Sequence, residues 1–101
     1  MNSDLLYISL DAPPALEEIL ADWLMEFDPN QRFSSYTVND HNGDHTKFSL
    51  KEQVTGRQKQ VRFELYLEKD RYRQFLDKFK ANFKGSGIQF RVMSALGQDV
   101  L

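Results

Sequence analysis

The sequence predicts an α+β sandwich: a four-stranded antiparallel sheet with two helices on one face, ordered strand–helix–strand–strand–helix–strand. Three observations predict it. Two segments carry large apolar side chains at helical spacing, the segments flanking them alternate apolar and polar residues, and turns rich in proline or glycine separate the two kinds. At 101 residues the chain is expected to form a single domain spanning 1–101.

Leu5 to Leu10 reads as the first strand, with Leu6, Ile8 and Leu10 on one face, and Asp11-Ala12-Pro13-Pro14 as its break. Pro14 suits a helix's first turn, where its missing N–H costs nothing. The helix that follows carries Leu16, Ile19, Leu20, Trp23, Leu24 and Phe27 in one apolar stripe. Glu17 and Glu18 complement the positive end of its dipole. Asp28-Pro29-Asn30 ends it. Arg32 to Asn39, rich in Phe, Tyr, Thr and Val, is the second strand. Val61 to Glu68 is the third, alternating Val61, Phe63, Leu65 and Leu67 with Arg62, Glu64, Tyr66 and Glu68. Asp70 is the expected N-cap of a second helix, striped by Tyr72, Phe75, Leu76, Phe79 and Phe83. Gly85 suits a left-handed cap beyond its end. Ile88, Phe90 and Val92 alternate in the last strand. This is the ferredoxin-like βαββαβ arrangement.

Composition narrows the function. Thirteen Lys and Arg against fifteen Asp and Glu give a net charge of −2, which argues against a general nucleic-acid binder. Cysteine is absent, excluding disulfides, thiolate metal sites and a Cys nucleophile. No apolar run approaches the ~20 residues of a membrane span. The start, MNSDLLYISLDAPP, has no basic region of the signal-peptide kind. A cytoplasmic protein is the simplest expectation.

Two features stand out. The sheet face away from the helices carries Tyr7, either Tyr36 or Phe33 according to register, Arg62, Glu64, Tyr66, Gln89, Arg91 and Met93. An RNA-binding sheet would stack bases on such aromatics, but QVRFELYLE has two glutamates and no glycine. Packing of subunits sheet to sheet fits better, with Arg62 and Glu64 paired across the interface. The other feature is the stretch from Asp40 to Gln60, DHNGDHTKFSLKEQVTGRQKQ, which has no sustained strand pattern. Connections beyond ~12–15 residues are usually functional or disordered. The plainer alternative is a polar hairpin turning at Asn42-Gly43.

The residues of this passage resemble the nitrogen-regulatory PII-like superfamily, whose second and third strands are joined by a long signalling loop. FSSYTVNDHNG followed by FSLKEQVTGRQKQVRFEL is similar to a small uncharacterised bacterial branch of it. That branch shows a Phe-Ser/Thr-Ser start to strand two, a His closing it, and a Ser-Leu-x-Glu-Gln-Val-x-Gly-Arg stretch. Here those are Phe33 to Ser35, His41, and Ser49, Leu50, Glu52, Gln53, Val54, Gly56 and Arg57. The resemblance implies a homotrimer whose sheets line the centre, ligand clefts between subunits at the loop bases, and regulation or sensing instead of catalysis. Genes of the branch often lie near heavy-metal efflux systems, which suggests an efflux component as partner. The superfamily's nucleotide turn corresponds to Gly85-Ser86-Gly87, after Lys84. Ile88 stands where that turn's lysine would be, and the basic C-terminal residues are missing from GQDVL, so a nucleotide is doubtful.

Other chemistry is thinner. His41, Asp44 and His45, with Asp40, offer imidazole and carboxylate ligands of the kind divalent transition metals take, although two histidines without cysteine leave a tetrahedral site short. A metal-sequestering role is the alternative function. No nucleophile and base at recognisable spacing can be named, so an enzyme is not expected. Glu52, Gln53, Gly56, Arg57 and Lys59 form the candidate ligand- or partner-binding loop, Arg57 being suited to bidentate carboxylate or phosphate binding. Equally, Glu52 and Arg57 pair and merely hold the loop, or the loop serves as a protein-docking adaptor.

Overall fold

The computed structural model describes residues 4–41 and 58–101. Strand β1 is Leu5–Ala12, a short 3-10 turn covers Pro14–Leu16, helix α1 is Glu17–Phe27, β2 is Phe33–Asp40, β3 is Gln58–Glu68, helix α2 is Lys69–Phe83 and β4 is Gln89–Ala95. All strand pairs are antiparallel, in the order β2-β3-β1-β4. This is the expected α+β architecture, with β1 at the centre beside β3.

Register decides which side chains meet. Ile8 faces Leu65 on β3 and Val92 on β4, and Leu10 faces Phe63 and Phe90, so these residues share the face toward the helices. Phe33 lies opposite Leu65 and Tyr36 opposite Arg62. Phe33 therefore joins the core side, and Tyr36 the open side. Against this sheet α1 buries Leu20 and Leu24 and α2 buries Phe75 and Phe79. Trp23 fills the seam between the helices, its ring 5.5 Å from those of Phe75 and Phe83 and 5.8 Å from that of Phe79. Asp28, just past α1, accepts a hydrogen bond from Arg71 in the first turn of α2, and the Arg71 guanidinium lies over the Phe27 ring. This pins the exit of one helix to the start of the other.

Four local expectations are corrected. β1 does not break at Asp11; it runs on to Ala12 because the Asp11 carboxylate finds partners on both neighbouring strands. Ile19 is 56% exposed: Leu20 and Leu24 take the sheet-facing line, and Ile19 lies one residue off it on a helix of only 11 residues. Asp70 is within the first turn of α2, and Glu68 holds the cap position without a side-chain bond. β3 starts at Gln58, so Lys59, read as part of the loop, pairs with Asn39 in the sheet.

Gly85 follows α2 with φ +82°, as the expected left-handed cap requires, and Gly87 has φ +86°. A Cβ added at Gly85 would meet nothing within 4 Å. Gly85→Ala should thus cost only the backbone penalty, about 1–2 kcal/mol, read as a lowered midpoint in urea with an unchanged slope. A neutral result would mean that the turn relaxes to another conformation.

Candidate functional site

The sheet face turned away from the helices is built from alternate residues of four strands. One row across it reads Tyr36, Arg62, Asp11 and Gln89, and the next reads Ser34, Glu64, Ser9 and Arg91; beyond them Tyr66, Tyr7 and Met93 stand side by side. Arg62 donates from Nε to Asp11 Oδ1 at 2.7 Å and from Nη2 to Oδ2 at 3.0 Å, and Arg91 Nη1 reaches the same Oδ2 at 3.2 Å. The Asp11 side chain is only 4% exposed between these two cations. One row on, Glu64 Oε2 accepts the hydroxyls of Tyr7 and Tyr36, both at 2.6 Å. The Tyr7 and Tyr66 rings stand 5.5 Å apart.

These contacts reset the titration of the face. Burial alone would raise the Asp11 pKa, but its hydrogen bonds and charge contacts with Arg62 and then Arg91 outweigh burial and hold it below the ordinary carboxylate value. Glu64 is lowered by the hydroxyls of Tyr36 and Tyr7. Tyr7 is pushed up to about 12, first by burial and then by its bond to the Glu64 carboxylate. Carboxyl groups with lowered folded pKa values stabilise the fold above their unfolded values, and that contribution disappears as pH falls through the folded ones. Tyr7, being raised, contributes below its ordinary value of 10.0 and loses the contribution as pH climbs toward about 12. Stability measured against pH should therefore be flat through neutrality, fall below roughly pH 4, and fall again as tyrosinate forms. Asp11→Asn with Glu64→Gln should flatten part of the acid limb, Asp28 beside Arg71 keeping its own share; an unchanged acid limb would assign it to carboxyls elsewhere.

A second feature lies at the far end of α2. Phe79, Phe83, Ile88 and Phe90 line a groove of about 460 Å³, with Lys80, Lys84 and the two turn glycines at its rim. Within the turn Ser86 donates its backbone N–H to Phe83 O, and its Oγ accepts the N–H of Ile88 at 3.2 Å. Ser86 Oγ is thus engaged in shaping the turn. A third, polar cavity of about 410 Å³ lies at the start of β2, between Asn30–Ser34, Glu64–Tyr66 and Gln98 of the tail. Gln31 Nε2 crosses it to the carbonyl of Tyr66 at 2.8 Å.

The sequence-derived site residues fall in three places. Gly85, Ser86 and Gly87 form the turn beside the apolar groove. His41 is exposed just past β2, and Lys59 is exposed in β3. Asp44, His45, Glu52, Gln53, Gly56 and Arg57 lie outside the described residues, so the metal and loop readings rest on sequence alone. Among the described residues no three His, Asp or Glu side chains gather as a metal site. At the loop end of β3, Gln60 is buried, and its Oε1 has no hydrogen-bond partner among the described residues. The Asp11–Arg62–Arg91 cluster escaped the sequence reading. Arg62 and Glu64 are both legible as open-face charges; within the chain Arg62 takes Asp11, and Glu64 takes the hydroxyls of Tyr7 and Tyr36.

The family described as a protein of unknown function (DUF3240) matches residues 2–98. The chain belongs to the DUF3240 family. No curated protein matches the sequence. Among solved structures, a DUF3240 family protein from Shewanella baltica OS155 is similar with TM-score 0.74 and 17% identity over 98% of both chains. A functionally unknown protein from Pediococcus pentosaceus ATCC 25745 follows at TM-score 0.63 and 12% identity, over 98% of this chain and 99% of that one. GlnK of B. subtilis, solved as its ATP complex, is similar at TM-score 0.53 and 14% identity over 93% of this chain and 86% of its own. At these identities the likeness is one of fold. This DUF3240 chain thus shares its fold with GlnK, a PII protein.

Proposed function

We propose that this single-domain DUF3240 protein is a non-enzymatic PII-like regulatory or ligand-sensing module. It assembles as a homotrimer through the open sheet face and signals through the segment joining β2 and β3. The observation that carries the reading is that face: Tyr36, Tyr66 and Met93 are exposed at 44%, 38% and 52%, while the charges among them are already paired within the chain. Charges bonded within the chain, beside exposed aromatic and Met side chains, are what a subunit contact asks of a surface.

The input side of the proposal is a ligand at the loop bases. The Gln60 amide oxygen, without a hydrogen-bond partner among the described residues, stands at that position and supports it. Glu52, Gln53, Gly56 and Arg57 carry the output, with Arg57 as the group that grips a carboxylate or phosphate. ATP is the first nucleotide to try because GlnK was solved with it, and Zn, Cu, Co and Ni are the first metals because His41, Asp44 and His45 share the loop. A cytoplasmic location and a tie to heavy-metal efflux belong to the same reading.

Native mass spectrometry of the purified chain, before and after each of these additions, tests it. A trimer that takes up one species in multiples of three is the expected result, with Arg57→Ala weakening uptake and leaving the trimer intact. Metal uptake by a monomer would favour sequestration through the histidines. A monomer that takes up nothing would leave only the fold.

A further inference from the structure

We propose that the apolar groove at the end of α2 receives the tail of a neighbouring copy, Val100 and Leu101 filling it and Asp99 lying against Lys80 and Lys84. The inference rests on the proposed assembly but concerns a different surface. Two unpartnered features of opposite character carry it. The tail after β4 is apolar and bare: Leu96, Val100 and Leu101 are 102%, 86% and 118% exposed, an arrangement that leaves three aliphatic side chains in water. The groove is its complement. Phe79, Phe83, Ile88 and Phe90 form its walls, Phe90 still 40% exposed, and the two lysines at its rim are the charges an Asp-Val-Leu segment would meet.

The chain's own tail runs the other way. It leaves β4 at Ala95, beside Leu5, and by Gln98 it borders the cavity at the start of β2. The groove opens at the opposite end of β4, around Phe90, about 17 Å back along the strand. A tail from one copy in the groove of another joins two different patches, and a contact of that heterologous kind closes into a ring when the rotation allows. In such a ring the tail occupies the groove beside the Gly85-Ser86-Gly87 turn, so the turn's role is to shape a peptide-binding wall.

The absence of cysteine makes the test clean. Lys84→Cys and Val100→Cys chains are co-expressed, assembled and mildly oxidised, with Glu18→Cys on the exposed start of α1 replacing Lys84→Cys in the control. The Lys84→Cys/Val100→Cys pair should link at least about tenfold faster than the control, through the high effective concentration of a docked tail. The doubly substituted chain should link only between copies, up to the full ring. Serine at Leu96, Val100 and Leu101, positions too exposed to matter for folding, should loosen the assembly measured in the same samples. Linking no faster than the control in a protein that native mass spectrometry shows to be assembled overturns the tail contact alone. Linking within one chain overturns it too, by placing the tail in its own groove. A monomeric mass removes the assembly on which it rests.

Discussion

Phe79→Ala is expected to lower the stability of the chain by about 3–5 kcal/mol, the usual cost of truncating a buried phenylalanine. Phe79 is 4% exposed and joins helix layer to sheet. Its ring stacks on Phe75 at 5.8 Å and meets Trp23 at 5.8 Å, Phe83 at 5.4 Å and Phe90 at 5.8 Å. These neighbours belong to both helices and to β4, so no single element can shift to fill the space left behind. A loss of that size is a large part of the roughly 5–15 kcal/mol that holds a domain together. Urea unfolding followed by the single tryptophan, at fixed protein concentration, gives the number. A loss under about 1 kcal/mol would mean that the aromatic cluster is loosely packed.

Asp11→Ala is expected to cost about 2–4 kcal/mol, because it strands two cations that share one buried carboxylate. Arg62 and Arg91 are 29% and 50% exposed at the side chain, so both can turn partly toward water, which keeps the loss below that of a fully enclosed pair. Asp11 also anchors the last residues of β1 to both neighbouring strands. Its removal should therefore speed amide exchange at the Ala12 end of β1 more than at Leu5. Asp11→Asn, which keeps hydrogen-bonding capacity without charge, should recover a part of the stability. Equal losses in the two variants would show that the charge alone, and not the shape or hydrogen-bonding capacity of the side chain, sets the cost.

The architecture was legible because its signals are local. The stripe Leu20, Trp23, Leu24 and Phe27 follows helical periodicity, the alternation from Val61 to Glu68 follows strand periodicity, and Gly85 marks a left-handed position that few other residues accept. What escaped depends on distant pairing. Aspartate disfavours strands, and Asp11 precedes two prolines, so sequence alone reads a break. It sits in β1 because Arg62, far along the chain, stands directly opposite it. The choice between Phe33 and Tyr36 for the open face was a question of register, which a strand with serines on both faces leaves undetermined. The same limit applies to Arg62 and Glu64: the charges are visible in the sequence and their partners within the chain are not. The apolar groove could be read only after α2 and β4 were brought together around the glycine turn, since its walls alternate between two elements and two periodicities.

The central claim is that the open sheet face is covered by further copies of the chain. Light scattering on the size-exclusion column, applied to the unaltered protein and to Met93→Asp, tests it directly. Met93 is 52% exposed beside Tyr7 on that face, so the substitution spares the core and places a charge where neighbouring sheets would meet. The expected result is a trimer for the unaltered chain and a folded monomer, with an unchanged circular dichroism spectrum, for Met93→Asp. A monomeric unaltered chain, or a Met93→Asp trimer as stable to dilution as the parent, would contradict it.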